Sequence, residues 1–169
     1  MKTYYIKQRL NLGNDKYFIY DQKQQPILKV VKKGLTGLLD NFLGNIISLG
    51  TKIYIYNLDE AETIMIKKKK KFIWNQYDIF IDSSKYASLC EEKTWFKPNL
   101  SINTIDGAYK IKGNIFARDF FIVKDKEVMA TIKKRRLTIS DCYEISVFQE
   151  ECYKLFIAIT IAIDNLYHN

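Results

Sequence analysis

The segment that most constrains this chain lies near its C-terminus. From Leu155 to Ile163 the residues are apolar on every side of a helix, with Thr160 the only exception. A helix apolar all round must be buried in protein or in lipid. Nine residues at helical rise span about 14 Å, under half of a ~30 Å hydrocarbon core. Extending the stretch back to Cys152 takes in Lys154 and reaches only about 18 Å. Burial in protein is therefore expected, and the segment is not expected to cross a membrane. Glu150 and Glu151 suit a first helical turn, and Ser146 with Gln149 would form a capping box if the helix starts that early.

Whatever surrounds this helix must come from the rest of the chain, and most of that reads as strands. One pattern recurs four times: strand, Asp- or Asn-led turn, strand, basic end. Tyr17–Asp21 leads to Ile27–Lys33, Ile53–Asn57 to Thr63–Lys68, Tyr77–Asp82 to Tyr86–Cys90, and Phe120–Asp125 to Val128–Lys134. Asp and Asn at a turn bond their own backbone and tolerate left-handed geometry, so these read as β-hairpins. Their uneven spacing argues against a strict solenoid or propeller period. The N-terminus, Met1–Arg9, alternates like a first strand and has no apolar core of a signal peptide. Tyr109–Gly113 and Cys142–Val147 alternate likewise. Gly34–Gly50, with four glycines, reads as a long loop with a helical turn around Leu38–Phe42. Thr94–Gly107, holding Pro98, reads as an irregular connection.

About eleven strands and one helix wet on no face have an economical solution. The strands close into an antiparallel barrel and the helix threads its middle. The 169 residues suit one domain, 1–169, and its 12 Tyr and 10 Phe fit a pleated, half-buried surface. The fold class expected is thus mainly β, with a closed antiparallel β-barrel around a central hydrophobic C-terminal helix.

The order of these segments resembles the LURP-one-related family, within the Tubby C-terminal-like superfamily. The resemblance rests on the Tyr17–Asp21 and Ile53–Asn57 strand-turn units, Tyr109–Arg118 running into Asp119–Asp125, Met129–Lys134, and the Leu155–Asp164 helix ending in Leu166-Tyr167-His168. Gly34–Gly50 is longer than expected for compact bacterial members. The resemblance implies a barrel of about twelve strands around the helix. Tubby proteins bind phosphoinositides at membrane surfaces, and phospholipid scramblases are distant relatives. Lipid binding is what the resemblance implies by analogy of fold, without residue-by-residue correspondence.

The net charge is +8, which attracts anionic partners and also keeps a protein soluble. Three basic clusters follow the same point of the hairpin repeat: Lys29, Lys32 and Lys33; Lys67, Lys68, Lys69, Lys70 and Lys71; and Lys133, Lys134, Arg135 and Arg136. Were those strand ends on one rim, a basic collar would result. The lysines would hold anionic phospholipid or phosphoinositide headgroups, and Arg135 and Arg136 would supply the phosphate forks. The plainer alternative is solvated, edge-protecting turns. Nucleic acid is the least favoured anion, because no established recognition motif is present.

Catalysis finds little support. His168 is the only histidine and sits beside the C-terminus, where a catalytic base is poorly held. Asp78 with Asp82, and Glu150 with Glu151, carry no acid–base signature. Asp164 is expected to make a structural hydrogen bond near the barrel mouth. Trp74 and Trp95 read as packing anchors. Cys90, Cys142 and Cys152 lack metal-site spacing and are expected to be reduced thiols. No cofactor and no metal is expected. Asn99-Leu100-Ser101 matches a glycosylation sequon, which has meaning only in a secreted chain. The expectation is a cytoplasmic, non-enzymatic protein, peripheral at an anionic membrane surface or engaged with an unknown protein partner.

Overall fold

The computed structural model describes residues 1–8, 15–33, 52–59, 61–70, 75–92, 99–115, 119–136 and 141–167. Among these, twelve strands form one antiparallel meander. They are β1 (Lys2–Gln8), β2 (Asp15–Tyr20), β3 (Pro26–Lys33), β4 (Lys52–Asn57), β5 (Glu62–Lys70) and β6 (Asn75–Ile81). Then follow β7 (Ser84–Glu92), β8 (Asn99–Thr104), β9 (Gly107–Asn114), β10 (Asp119–Lys124), β11 (Glu127–Arg136) and β12 (Asp141–Val147). Each strand pairs with its sequence neighbours, and β1 pairs with β12, from Lys2 opposite Val147 to Lys7 opposite Cys142. The barrel is closed, so no strand presents an unpaired edge.

All four expected hairpins are present, and their turns explain them. Asp82 and Ser83 both have positive φ (47° and 67°), as do Asp125 and Lys126 (48° and 72°). Two successive left-handed residues match the right-handed twist of the flanking strands. The Asp21 side chain accepts from the Lys23 and Gln25 amides at 2.9 Å, and the Asn57 side chain from the Ala61 amide at 2.8 Å.

A fifth hairpin corrects the sequence reading. Asn99–Thr104 lies inside the segment expected to be irregular and is strand β8, with Leu100 and Ile102 buried and the residues between them polar. It turns at Ile105-Asp106 into β9, where Gly107 has φ +121° and its carbonyl accepts from Thr104 Oγ1 at 2.8 Å. Gly113 is needed for a different reason. A Cβ there would sit 2.8 Å from the Asp119 carbonyl oxygen and 2.9 Å from Phe120 Cα on β10, at a φ of +109°.

The hairpin turns all lie at one end, here the hairpin rim. The connections at the opposite end, the far rim, fall outside the described residues, and with them Gly34–Gly50, Lys71, Trp74, Trp95 and His168. Inward positions alternate along most of each strand, with a bulge at Ile122/Val123 on β10, and are chiefly Ile, Leu, Val and Tyr.

The chain re-enters at the hairpin rim through a 3₁₀ turn, Glu150–Cys152, and continues as α1 (Tyr153–Tyr167) toward the far rim. Every residue from Leu155 to Asn165 is buried. The expected capping box is absent. Ser146 is committed to β12, and the 3₁₀ turn is capped by Gln149 in extended conformation with no side-chain hydrogen bond.

Tyrosines hold α1 at both ends. At the hairpin rim the Tyr4 ring stacks on Tyr153 at 5.0 Å, and Tyr109 meets Phe156 edge-on at 5.9 Å. At the far rim the Tyr17 hydroxyl donates to Asp164 Oδ2 at 2.5 Å, Tyr143 donates to Oδ1, and Tyr77 donates to Asn165 Oδ1 at 3.1 Å. These three tyrosines come from β2, β12 and β6, and β6 and β12 lie on opposite sides of the ring. The helix therefore runs through the interior, and Asp164 makes the structural hydrogen bonds expected of it.

Candidate functional site

The six odd-numbered strands run from the hairpin rim to the far rim. The basic ends of β3, β5 and β11 consequently share the far rim. They do not form one patch. β5 and β11 are six positions apart around a twelve-strand ring, hence on opposite sides. At normal strand spacing and tilt the barrel is roughly 25 Å across.

The β11 arc is met by carboxylates. Lys133 stands between Asp119 on β10 and Glu144 on β12, and Arg136 lies opposite Asp141. The Arg135 guanidinium grips Glu144 twice, Nε to Oε2 at 3.0 Å and Nη2 to Oε1 at 3.3 Å. That fork, expected from the sequence to await phosphate, is occupied by a carboxylate of the same protein. Lys134 alternates inward, opposite Tyr143.

The arc spanning β3 to β5 is built otherwise. Lys33 lies opposite Lys52, and Lys52 opposite Lys67, so three lysines occupy one register row across three strands. Like charges placed directly opposite on a sheet destabilise it. The row ends at Asp78 on β6, opposite Lys67. Lys68 turns inward, its ammonium 5.8 Å from the Tyr77 ring centre.

Sequence reasoning passed over what Asp78 does. Its neighbours Tyr77 and Ile79 face the core, so Asp78 faces outward, yet its side chain is only 1% exposed. Gln76 Nε2 and Ser88 Oγ donate to Oδ1 at 2.9 Å, Lys85 Nζ lies 3.1 Å away, and Lys69 pairs with Oδ2. Burial alone pushes the Asp78 carboxyl up. The contacts from Lys69, Gln76, Ser88 and Lys85 outweigh it and hold the group well below the usual carboxylate range. Asp78 thereby gathers lysines from β5 and β7 on the outer surface. A lone acid inside a basic stretch, at a position that alternation assigns to solvent, was the available signal.

The hairpin rim has a different character. Met1, Leu58, Ile105, Val128 and Phe148 are exposed there, Ile105 at 73% and Met1 at 77%. Asp59, Asp82, Asp106, Asp125 and Glu127 are exposed on the same turns or beside them. The molecule therefore carries an acidic, apolar-tipped rim opposite a lysine-rich one.

No group of three His, Cys, Asp or Glu residues able to hold a metal occurs among the described residues. Cys90, Cys142 and Cys152 are free thiols, with Cys142 raised by burial. No helix among the described residues is long and apolar enough to cross a membrane.

Comparison with known proteins decides the family. The family model described as LURP-one-related matches residues 2–164. The chain belongs to the LURP-one-related family. A relative, the uncharacterized protein YxjI of Bacillus subtilis, is 22% identical over 165 residues, covering 98% of this chain and 93% of that one. Among solved structures, the X-ray structure of an Arabidopsis thaliana protein superposes with a TM-score of 0.66 at 12% identity, covering 98% of this chain and 91% of that one. At that identity the likeness speaks for the fold. The barrel fold of this LURP-one-related chain is thus shared with a protein only 12% identical to it.

Proposed function

We propose that this LURP-one-related barrel works by binding rather than catalysis, and docks peripherally on anionic phospholipid surfaces with headgroups held at the far rim. The observation that carries the reading is the register row Lys33–Lys52–Lys67. A fold has no structural use for three like charges in one row, and an anionic ligand turns their repulsion into affinity. The β11 cluster contributes less, because Glu144 already holds Arg135 and Asp119 stands opposite Lys133. Three reduced thiols suit the cytoplasmic side of a membrane, where anionic lipid is enriched.

Magnitudes bound the interaction. A surface-near lysine contributes about 1 kcal/mol against an anionic leaflet, so the row supplies about 3 kcal/mol. That falls short of the ~4 kcal/mol of a millimolar complex. The contact by charge alone is transient.

Vesicle co-sedimentation tests the reading, with and without phosphatidylserine, at low and high salt. Binding should require the anionic lipid and weaken with salt. Reversing Lys52 and Lys67 to Glu should reduce it more than reversing Lys133, Lys134, Arg135 and Arg136. Absence of wild-type binding at low salt overturns the proposal.

A second reading, a protein-interaction module, is favoured by the hairpin rim. Exposed apolar tips among carboxylates suit a basic protein partner. Binding there would survive the far-rim substitutions.

A further inference from the structure

The outer wall of the barrel is not uniform. Over β8 to β11 it carries Asn103, Lys110, Lys112, Asp119 and Lys133, all exposed and polar or charged, and the large apolar side chains exposed on those strands are Phe121 and, beside the hairpin turn, Val128. Over β2 to β6 the outward positions are half-buried and largely aromatic or aliphatic. Two register rows show this. Phe18 lies opposite Lys29 and Lys29 opposite Tyr56; Val31 lies opposite Tyr54, and Tyr54 opposite Met65. The Met65 row continues to Phe80. The third row of the same wall, toward the far rim, is Lys33–Lys52–Lys67.

We infer that this wall is the membrane-facing surface, so that the barrel lies on its side with β2–β6 against an anionic bilayer. The inference rests on the lipid reading above and supplies what that reading lacks. Lysines alone hold the protein too weakly, and stable attachment takes a second signal besides charge. Aromatic side chains with a polar tip settle at the membrane interface, and lysine stems lie along apolar surface while their heads seek phosphate. The wall offers both in adjoining rows.

Charge selects the occupant. Among the outward register positions of β2–β6, the acids are Asp15 opposite Val31 at the far-rim end, Glu62 at the hairpin end, and Asp78, which is buried under its lysines; Lys29, Lys33, Lys52, Lys67 and Lys69 outnumber them. The partner is therefore anionic. A membrane suits the wall better than single-stranded nucleic acid, which needs open ring faces for stacking. Here the rings are used internally. Tyr54 and Tyr56 stack on each other at 6.1 Å, and the Lys7 ammonium lies 4.6 Å from the Tyr20 ring centre.

The test compares full-length proteins on vesicles with and without phosphatidylserine. The wall variant combines Phe18→Ser and Tyr56→Ser, and the control is Phe121→Ser on the far side. Thermal melts establish that each is folded. A salt-resistant fraction of wild-type binding, kept in Phe121→Ser and reduced several-fold in the wall variant, is the expected result. Should the folded wall variant bind like wild type while Lys52→Glu loses binding, side-on docking is wrong and headgroup binding at the rim stands. If wild type binds no anionic vesicle, both fall. A labelled oligothymidine bound more tightly than vesicles, and released in the wall variant, overturns the membrane assignment in favour of nucleic acid.

Discussion

The Tyr17 hydroxyl donates to Asp164 Oδ2 at 2.5 Å across 147 residues of sequence, tying the second strand to the last turns of the central helix. Tyr143 donates to the other oxygen of the same carboxylate. A negative side chain near a helix C-terminus opposes the helix dipole, and the two phenols offset that opposition. Replacing Tyr17 or Tyr143 with Phe removes one hydrogen bond to a buried carboxylate and should cost about 1–3 kcal/mol each. Urea unfolding measures this, and the double variant should depart from additivity because both bonds share one acceptor.

Asp78 makes stability sensitive to acid. Its folded pKa lies below that of an unfolded aspartate, about 3.9. Its contribution is fully present above that value and is lost as pH falls through it toward the folded pKa. Asp78→Asn should therefore lower stability at neutral pH and flatten the acid limb of a stability profile. Thermal melts taken from neutral pH downward would show the two curves converging.

At the alkaline end Tyr4 acts in the opposite sense. Burial, then Tyr153, Glu150 and Asp21, push its hydroxyl up to about 12. Its contribution holds below the unfolded value of about 10 and disappears as pH rises from there to 12. Tyr4→Phe should lessen the loss of stability across that window, followed by circular dichroism.

Gly113 and Gly107 should differ although both have positive φ. Alanine at 113 drives a methyl into the β10 backbone, whereas at 107 the nearest atom is Lys124 Cε, on a side chain, at 3.4 Å. Backbone strain costs about 1–3 kcal/mol at either site. Gly113→Ala should exceed Gly107→Ala by a further clash, read from the two denaturation midpoints.

Lys52 links stability to binding. It stands between Lys33 and Lys67 in the register. Lys52→Gln should raise stability by about 0.2–1 kcal/mol through relief of cross-strand repulsion. The same change should weaken attachment to phosphatidylserine vesicles. A fall in stability would mean that the row is structural.

The sequence declared its hairpins because Asp21, Asn57, Asp82 and Asp125 act locally, each within a few residues. It declared the helix because an all-apolar stretch too short for a bilayer has few destinations. Strand β8 escaped because Pro98 suggested irregularity, while Leu100 and Ile102 alternate with residues common in loops. The Asp106-Gly107 turn was the overlooked signal. Glu144 as the partner of Arg135, and Lys52 as the centre of a lysine row, depend on which strands are neighbours across a far-rim connection. Local pattern carries no such register. The outward burial of Asp78 likewise follows from β5 and β7 flanking β6.

The pairing of Lys2–Lys7 with Cys142–Val147 also governs how the protein is made. The first strand leaves the ribosome long before the last exists, and one side of it has no neighbour until residue 147 has emerged. Contacts so distant in sequence are slow to form, because the loop between them must be closed first. During that interval β1 and the newest strand each offer a bare edge to other chains. The helix, synthesised after all twelve strands, must enter before or as that seam shuts. Aggregation of this protein is thus a hazard of its synthesis and of interrupted translation rather than of the finished barrel, which has no edge left to offer.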